Sequence, residues 1–253
     1  MTVTRAEILA EMGLSPQWVR RVPPAAPAAA SNSAANAAPQ ADASTAAAAP
    51  SRVERISALT WNDFAADVDA CNACGLCRTR NRSVPGVGDA RAEWLFVGEA
   101  PGAEEDARGE PFVGQAGRLL DNMLGALGMT RSRNVYIANV LKCRPPDNRT
   151  PDTAEADACR PYLERQIALL QPKIIVALGK SAASLLLGGD ASIASLRGRA
   201  HTYRAVPLIV TYHPAYLLRT PTDKGKAWAD LLLARQTVAS GAGGGPAGTS
   251  FVA

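Results

Sequence analysis

The stretch Glu93-Trp-Leu-Phe-Val-Gly98 runs directly into Glu99-Ala-Pro-Gly102. Its first half is a short apolar run, the pattern of a strand buried on both faces. Its second half is polar and glycine-rich, the pattern of a loop that lets backbone N–H groups approach a ligand. The same pairing recurs downstream. Residues 134–140 (NVYIANV), 173–178 (KIIVAL) and 206–211 (VPLIVT) read as three more strands. Helical spacing occupies 117–127, 153–170, 181–187 and 224–235, with Ala158, Leu163, Ile167 and Leu170 on the inner side of the second. Strands that alternate with helices predict an α/β fold with a parallel sheet covered on both faces. Right-handed crossovers make it a three-layer α/β/α sandwich around a mainly parallel four-stranded sheet.

Each strand is followed by a polar motif. Glu99-Ala-Pro-Gly102 follows the first, Asn139 ends the second, Gly179-Lys180-Ser181 follows the third and His213-Pro214 follows the fourth. Ligands of open parallel sheets bind beyond the carboxyl ends of the strands. Four motifs at four such ends predict one shared pocket.

The chain has 253 residues, with 27 basic and 23 acidic side chains and a formal net charge of +4. That mildly basic balance is compatible with a nucleic-acid partner without establishing one. Hydrophobic residues make up 47%, enough for a core, although alanine inflates the figure. No run of about 18 apolar residues is present, so no membrane span is expected. The N-terminus has acidic residues and lacks the apolar region of a secretory signal. Residues 23–50 hold 15 Ala and five Pro in 28 positions, with almost no charge, which predicts a disordered linker. The expected organisation is an N-terminal helical extension over 1–21, an Ala/Pro-rich linker over 22–52, a globular domain over 53–236 and a Gly-rich disordered tail over 237–253. Ile8, Leu9, Met12, Leu14 and Trp18 give the extension helical spacing, and it could dock on a partner protein.

Five cysteines are clustered. Cys71, Cys74 and Cys77 form C-x2-C-x2-C, and Cys143 and Cys159 lie in KCRPP and DACRP. Thiolates bind soft metals, so four converging cysteines fit a [4Fe–4S] cluster or an all-cysteine zinc site. Spacing alone separates neither these two metals nor the spare thiol.

Several side chains are candidates for chemistry. Glu99, between Gly98 and Gly102 at a strand end, can orient or activate a water. Phe112, in the polar loop GEPFVGQAG, is either a plug on the core or a platform for a planar base. Asn139 can hold a base edge with a donor and an acceptor together. His213 can donate from a neutral imidazole to a developing oxyanion. Other chemistries lack their motifs: GKS at 179–181 has no upstream glycine at P-loop spacing, and no G-x-S-x-G is present.

Taken in order, GEAPG (98–102), GEPFVGQAGRLLD (109–121), VYIANVLKCRPPDNRTP (135–151) and HPAYLLR (213–219) resemble the family 4 uracil-DNA glycosylases. The resemblance covers roughly 68–235, and its motifs are jointly specific although each alone is weak. It implies the uracil-DNA glycosylase α/β fold and a [4Fe–4S] cluster on Cys71, Cys74, Cys143 and Cys159, leaving Cys77 spare. It implies a monofunctional hydrolase of base excision repair that flips uracil from single- or double-stranded DNA and cleaves its glycosidic bond. Carried over by position, Glu99 would hold the hydrolytic water and His213 would stabilise charge on uracil O2. Gly98, Ala100, Phe112 and Asn139 would bind the base, with Phe112 stacking and Asn139 reading the edge. The 213–219 segment would press as a loop into DNA through Tyr216, Leu217 or Arg219. A monomer in the bacterial cytoplasm or nucleoid is expected. Three rivals stand beside this reading: a glycosylase for another deaminated base, a non-catalytic iron–sulfur module that binds DNA or a polymerase, and a zinc protein, which the colour of the purified protein would separate from iron–sulfur.

Overall fold

A computed structural model of the chain describes residues 50–241. The predicted N-terminal helix, most of the linker and the end of the Gly-rich tail lie outside the described residues. The description begins with two short helices, α1 (Arg52–Ala58) and α2 (Trp61–Ala70). Strand β1 (Val87–Gly88) precedes β2 (Trp94–Gly98), α3 (Ala103–Arg108), α4 (Gln115–Ala126) and β3 (Val135–Asn139). Then come α5 (Thr153–Leu170), β4 (Ile174–Leu178), α6 (Lys180–Leu187) and α7 (Ile193–Leu196). The chain closes with β5 (Ala200–Tyr203), β6 (Val206–Thr211), α8 (Pro214–Arg219) and α9 (Lys224–Ala239).

The sheet has six strands in the order β1-β3-β2-β4-β6-β5. Its four central strands are the four expected, and they are parallel. The expectation of four is corrected by two antiparallel edge strands, β1 and β5. Val87–Gly88 is two residues long, and Ala200–Tyr203 carries the polar run Ala-His-Thr-Tyr with an exposed face. Neither produces the apolar run that marks a central strand. Two boundaries also move. Ser51 caps α1 by accepting from the Glu54 backbone while Glu54 reaches back to the Ser51 N–H, so order begins inside the expected linker. Helix α9 runs to Ala239, into the expected tail.

The pleat sorts side chains into two cores. Leu95, Val97, Tyr136, Ala138, Ile175, Ala177, Leu208 and Val210 face α5 and α6. Trp94, Phe96, Val135, Ile137, Ile174, Val176 and Ile209 face the other way, toward Leu120 and Leu124 of α4 and Leu231 and Ala234 of α9. Two helical layers on a sheet buried on both faces make the three-layer sandwich. Helices α1 and α2 pack outside it, where Ile56, Phe64 and Val68 meet Tyr162 of α5. No helix among the described residues is long and apolar enough to cross a membrane.

Phe64 anchors the segment that carries Cys71 and Cys74: its ring meets Tyr162 edge-on at 5.8 Å and is fully buried. Phe64→Ala should lower unfolding stability by about 3 kcal/mol. Chemical denaturation followed by far-ultraviolet circular dichroism checks this; a change below about 0.5 kcal/mol would mean that the helical annex contributes nothing to the domain.

Candidate active site

Register builds the site. Gly98 pairs with Asn139 across β2 and β3, and Leu178 pairs with Thr211 across β4 and β6. The central strands therefore end at one level, and their motifs emerge side by side. The Val140 N–H donates to the Gly98 carbonyl at 2.9 Å and the Leu141 N–H to the Glu99 carbonyl at 3.0 Å, carrying the pairing past the strand ends. Gly179, at a φ of +95°, donates to the Thr211 carbonyl, and any Cβ there would lie 3.0 Å from the His213 Cβ.

Above this edge lies a cavity of about 550 Å³ bordered by Glu99, Ala100, Glu105, Phe112, Asn139, Asn148, His213 and Arg219. Glu99, Ala100, Phe112, Asn139, His213 and Arg219 thus meet as the sequence suggested. Gly98 does not border the cavity, which corrects its assignment as a binding residue. It lies behind the wall, where a Cβ would fall 2.3 Å from the Asn139 side-chain oxygen and 2.9 Å from the Phe112 ring. Its role is to leave room for both. Gly179, Lys180 and Ser181 do not border the cavity, although the Ser181 hydroxyl lies within reach of Glu99.

Asn139 is only 1% exposed, and its side-chain oxygen has no hydrogen-bond partner among the described residues. Glu99 Oε1 is likewise buried and unpartnered. Buried polar atoms are normally satisfied; of the four orphans among the described residues, these two border the cavity and those on Ser184 and Thr211 do not. Burial raises the Glu99 carboxyl above its ordinary value, against a weaker pull from the Ser181 hydroxyl. Burial drives His213 down to about 4, so its imidazole is neutral at pH 7. The Ala215 N–H donates to His213 Nδ1 at 3.1 Å, which places the ring proton on Nε2. His213 is therefore a neutral hydrogen-bond donor.

Phe112 has a φ of 55°, the left-handed region that a bulky residue avoids. Arg131 holds it there: Nη1 donates to the Pro111 carbonyl at 2.8 Å, Nη2 donates to the Phe112 carbonyl, and Nε pairs with Asp121. Gly117 lets the chain pass, since a Cβ there would lie 1.7 Å from the Phe112 carbonyl oxygen. The held ring packs against His213 at 5.4 Å between centroids. Glu105 braces the opposite side, accepting from the Gly102 and Val113 N–H groups at 3.1 Å each. Sequence reasoning passed over Arg131 and Glu105. Glu105 reaches back to the Gly102 N–H as the glutamate of a capping box does, but Gly102 has no side chain to complete the box, so neither Glu105 nor Arg131 gives a local signal.

The 213–219 segment is corrected from a loop to a helix. His213 caps α8 and Pro214 opens it with a preset φ. Helical periodicity then turns Leu217 inward: it is 1% exposed, packed with Tyr212 and Ala227, and is withdrawn as a residue that enters DNA. Leu218, about 100° further round, is 41% exposed. Tyr216 stacks on Tyr212 at 4.8 Å and donates to Asp223 at 2.6 Å, so it is also held by the protein. Arg219 stays exposed at the cavity rim. Among other arginines beside the motifs, Arg149 is clamped by Glu155 at 2.7 and 2.9 Å, and Arg197 is paired with buried Asp230 at 2.7 Å.

A second, smaller cavity is bordered by Cys71, Cys74, Cys77, Cys143 and Cys159, together with Lys142 and Tyr162. All five thiols are free. Among the described residues, no three His, Cys, Asp or Glu side chains stand close enough to share one metal ion. Donors surround the sulfurs: Arg80 reaches Cys143 Sγ at 2.9 Å, the Lys142 N–H reaches Cys159 Sγ at 3.3 Å, and Arg52 reaches Cys71 Sγ at 3.6 Å. Burial pushes the Cys159 thiol up to about 11. A thiolate there requires nearby positive charge, which a metal centre would supply.

Comparison with known proteins agrees with this geometry. Residues 85–232, more than half of the chain, match the model of the uracil DNA glycosylase superfamily. The chain is 43% identical to the type-4 uracil-DNA glycosylase of Archaeoglobus fulgidus over 168 residues, 63% of this chain and 84% of that protein. It is 46% identical to the type-4 enzyme of Sulfurisphaera tokodaii over 164 residues, 61% of this chain and 74% of that one. It is 33% identical to a type-5 uracil-DNA glycosylase of Thermus thermophilus over 175 residues, 60% of this chain and 76% of that protein. A sheet that ends in one walled cavity, with a cysteine-lined annex beside it, thus belongs to a member of the uracil-DNA glycosylase superfamily, of the type-4 group.

Proposed function

We propose that this protein excises uracil from DNA by hydrolysing the bond between the base and the sugar. The carrying observation is the pair of buried, unpartnered oxygens on Glu99 and Asn139, beside a His213 fixed as a neutral donor. A base inside a duplex is out of reach, so it must be extruded at a cost of a few kcal/mol. Asn139 offers an acceptor and a donor to the uracil edge, and Phe112 offers a ring held rigidly by Arg131. Arg219 stands on the rim, with the exposed Leu218 its neighbour in α8, and the opened strand would pass beside them.

Cleavage builds positive charge on the sugar and negative charge on uracil. Glu99 opposes the first, and its carboxylate holds and orients the attacking water. His213 Nε2–H opposes the second by donating to uracil O2. Each preorganised group of this kind contributes on the order of 3 kcal/mol. Water adds to the sugar, uracil leaves and an abasic site remains.

The cysteine cage fits a [4Fe–4S] group on Cys71, Cys74, Cys143 and Cys159. The supporting features are one shared cavity, free thiols and three N–H donors aimed at sulfur. Bound there, it would cross-link the end of α2, the loop after β3 and helix α5, without taking part in bond cleavage.

The deciding experiment is release of uracil from an oligonucleotide carrying one deoxyuridine. The wild type should leave an alkali-labile site, while Glu99→Gln and His213→Ala should each lower turnover about 10²–10³-fold with unchanged folding. Full activity in Glu99→Gln would remove Glu99 from the chemistry, and no release by folded wild type would shift the substrate to another damaged base.

The pH profile provides a second check. Glu99 must be ionised, so the rate should rise with pH along an acid limb displaced above 4.5. His213 loses its proton near 4 and adds no limb near 6.5. A limb near 6.5 that disappears in His213→Ala would contradict this assignment.

The ligand set is tested by colour. Cys143→Ser should lose the brown colour and iron, whereas Cys77→Ser should keep both; the reverse result would exchange the two thiols.

A further inference from the structure

The mechanism leaves one buried cation unexplained. Lys142 is 1% exposed, and its side chain reaches back to the strand end that carries Asn139. Its ammonium donates to the Asn139 carbonyl at 2.7 Å and to Gln166 Oε1 at 2.5 Å. Gln166 is oriented by its own donations from Nε2, to the Pro85 carbonyl at 2.7 Å and the Tyr136 hydroxyl at 3.3 Å. The amide oxygen thus faces the lysine. On its other side Lys142 borders the cysteine cavity, and its backbone N–H meets Cys159 Sγ.

No carboxylate among the described residues forms an ion pair with Lys142. A buried ammonium held only by neutral acceptors is unfavourable. The groups beside it that can carry negative charge are the sulfurs of Cys143, its neighbour in the chain, and Cys159, which its own N–H meets at 3.3 Å. Both belong to the cage, and a [4Fe–4S] core held by four thiolates is net negative. The counter-charge of Lys142 is therefore the occupied cage itself. The same ammonium grips the backbone of the residue whose side chain faces uracil.

We propose that Lys142 is a positioning residue that ties the uracil-reading Asn139 to the cysteine cage, holding the Asn139 carbonyl on one side and balancing the charge of the bound cluster on the other. The inference rests on the cluster reading above and adds a coupling to it. The state of the cage reaches base recognition through one side chain, although the cluster stands outside the reaction. Neighbouring Leu141 is also fully buried, so the segment from Asn139 to Cys143 has little freedom to absorb a displacement.

The test compares purified wild type with Lys142→Met, which keeps length and apolar volume but removes the charge, and with Lys142→Arg, which keeps the charge. Iron content and visible colour are recorded first, then the rate at which a chelator bleaches the colour, then KM and kcat on the deoxyuridine oligonucleotide. Lys142→Met should bleach several-fold faster and raise KM about tenfold with kcat changed less, as expected for loss of one hydrogen bond from a charged donor. Lys142→Arg should bleach close to the wild-type rate. If Lys142→Met bleaches at the wild-type rate, or keeps the wild-type KM, the proposal is overturned. Should Lys142→Met fail to fold, Lys142→Gln removes the charge and keeps a neutral N–H donor on a side chain one atom shorter; it should bleach faster, and a wild-type rate would again overturn the proposal. A colourless, iron-free wild type would instead defeat the cluster reading and the proposal with it.

Discussion

The parallel registration of β2, β3, β4 and β6 is the constraint on which the rest of the site depends. Backbone hydrogen bonds pair Gly98 with Asn139 and Leu178 with Thr211, so the motif segments that follow leave the sheet together. A slip of one residue in β3 would turn Asn139 to the opposite face of the sheet. Ile137 and Ala138 prevent this, since they belong to opposite apolar cores and cannot exchange places without exposing apolar surface. Burial on both faces of the sheet therefore sets the geometry of a polar site that lies outside the core.

On that frame the protein holds several groups in forms they would not adopt alone. Phe112 keeps a left-handed backbone, His213 stays neutral and Glu99 remains partly desolvated. Each has an identifiable cause: Arg131 and Gly117 hold Phe112, and burial lowers His213 and raises Glu99, with the Ala215 N–H fixing the His213 tautomer. Strain and unsatisfied polarity gathered on one cavity are the physical signature of preorganisation. The transition state gains from dipoles already in place, and folding carries their cost.

The cysteine annex extends the same logic. Helices α1 and α2 have a small core of their own, built on Ile56, Phe64, Val68 and Tyr162. Sulfurs from the end of α2, from the loop after β3 and from α5 line a shared cavity. Lys142 stands where that cavity backs onto the strand end that carries Asn139.

Local sequence determined the four central strands, the long helices and the motif positions, because apolar runs and helical periodicity are short-range signals. It also determined that Glu99, Asn139 and His213 would share a pocket, because parallel strands place their carboxyl ends on one side. Tertiary structure decided what depends on distant partners. The edge strands Val87–Gly88 and Ala200–Tyr203 exist only because a neighbouring strand pairs with them. Leu217 and Leu218 are chemically identical in the sequence, and only the turn of α8 against Tyr212 and Ala227 buries one and exposes the other. Arg131 reaches the Phe112 loop across 19 residues, and Lys142 meets Gln166 across 24; such pairs leave no periodic trace. Gly98 reads as a ligand loop in the sequence, and the fold makes it a clearance for the two side chains beside it.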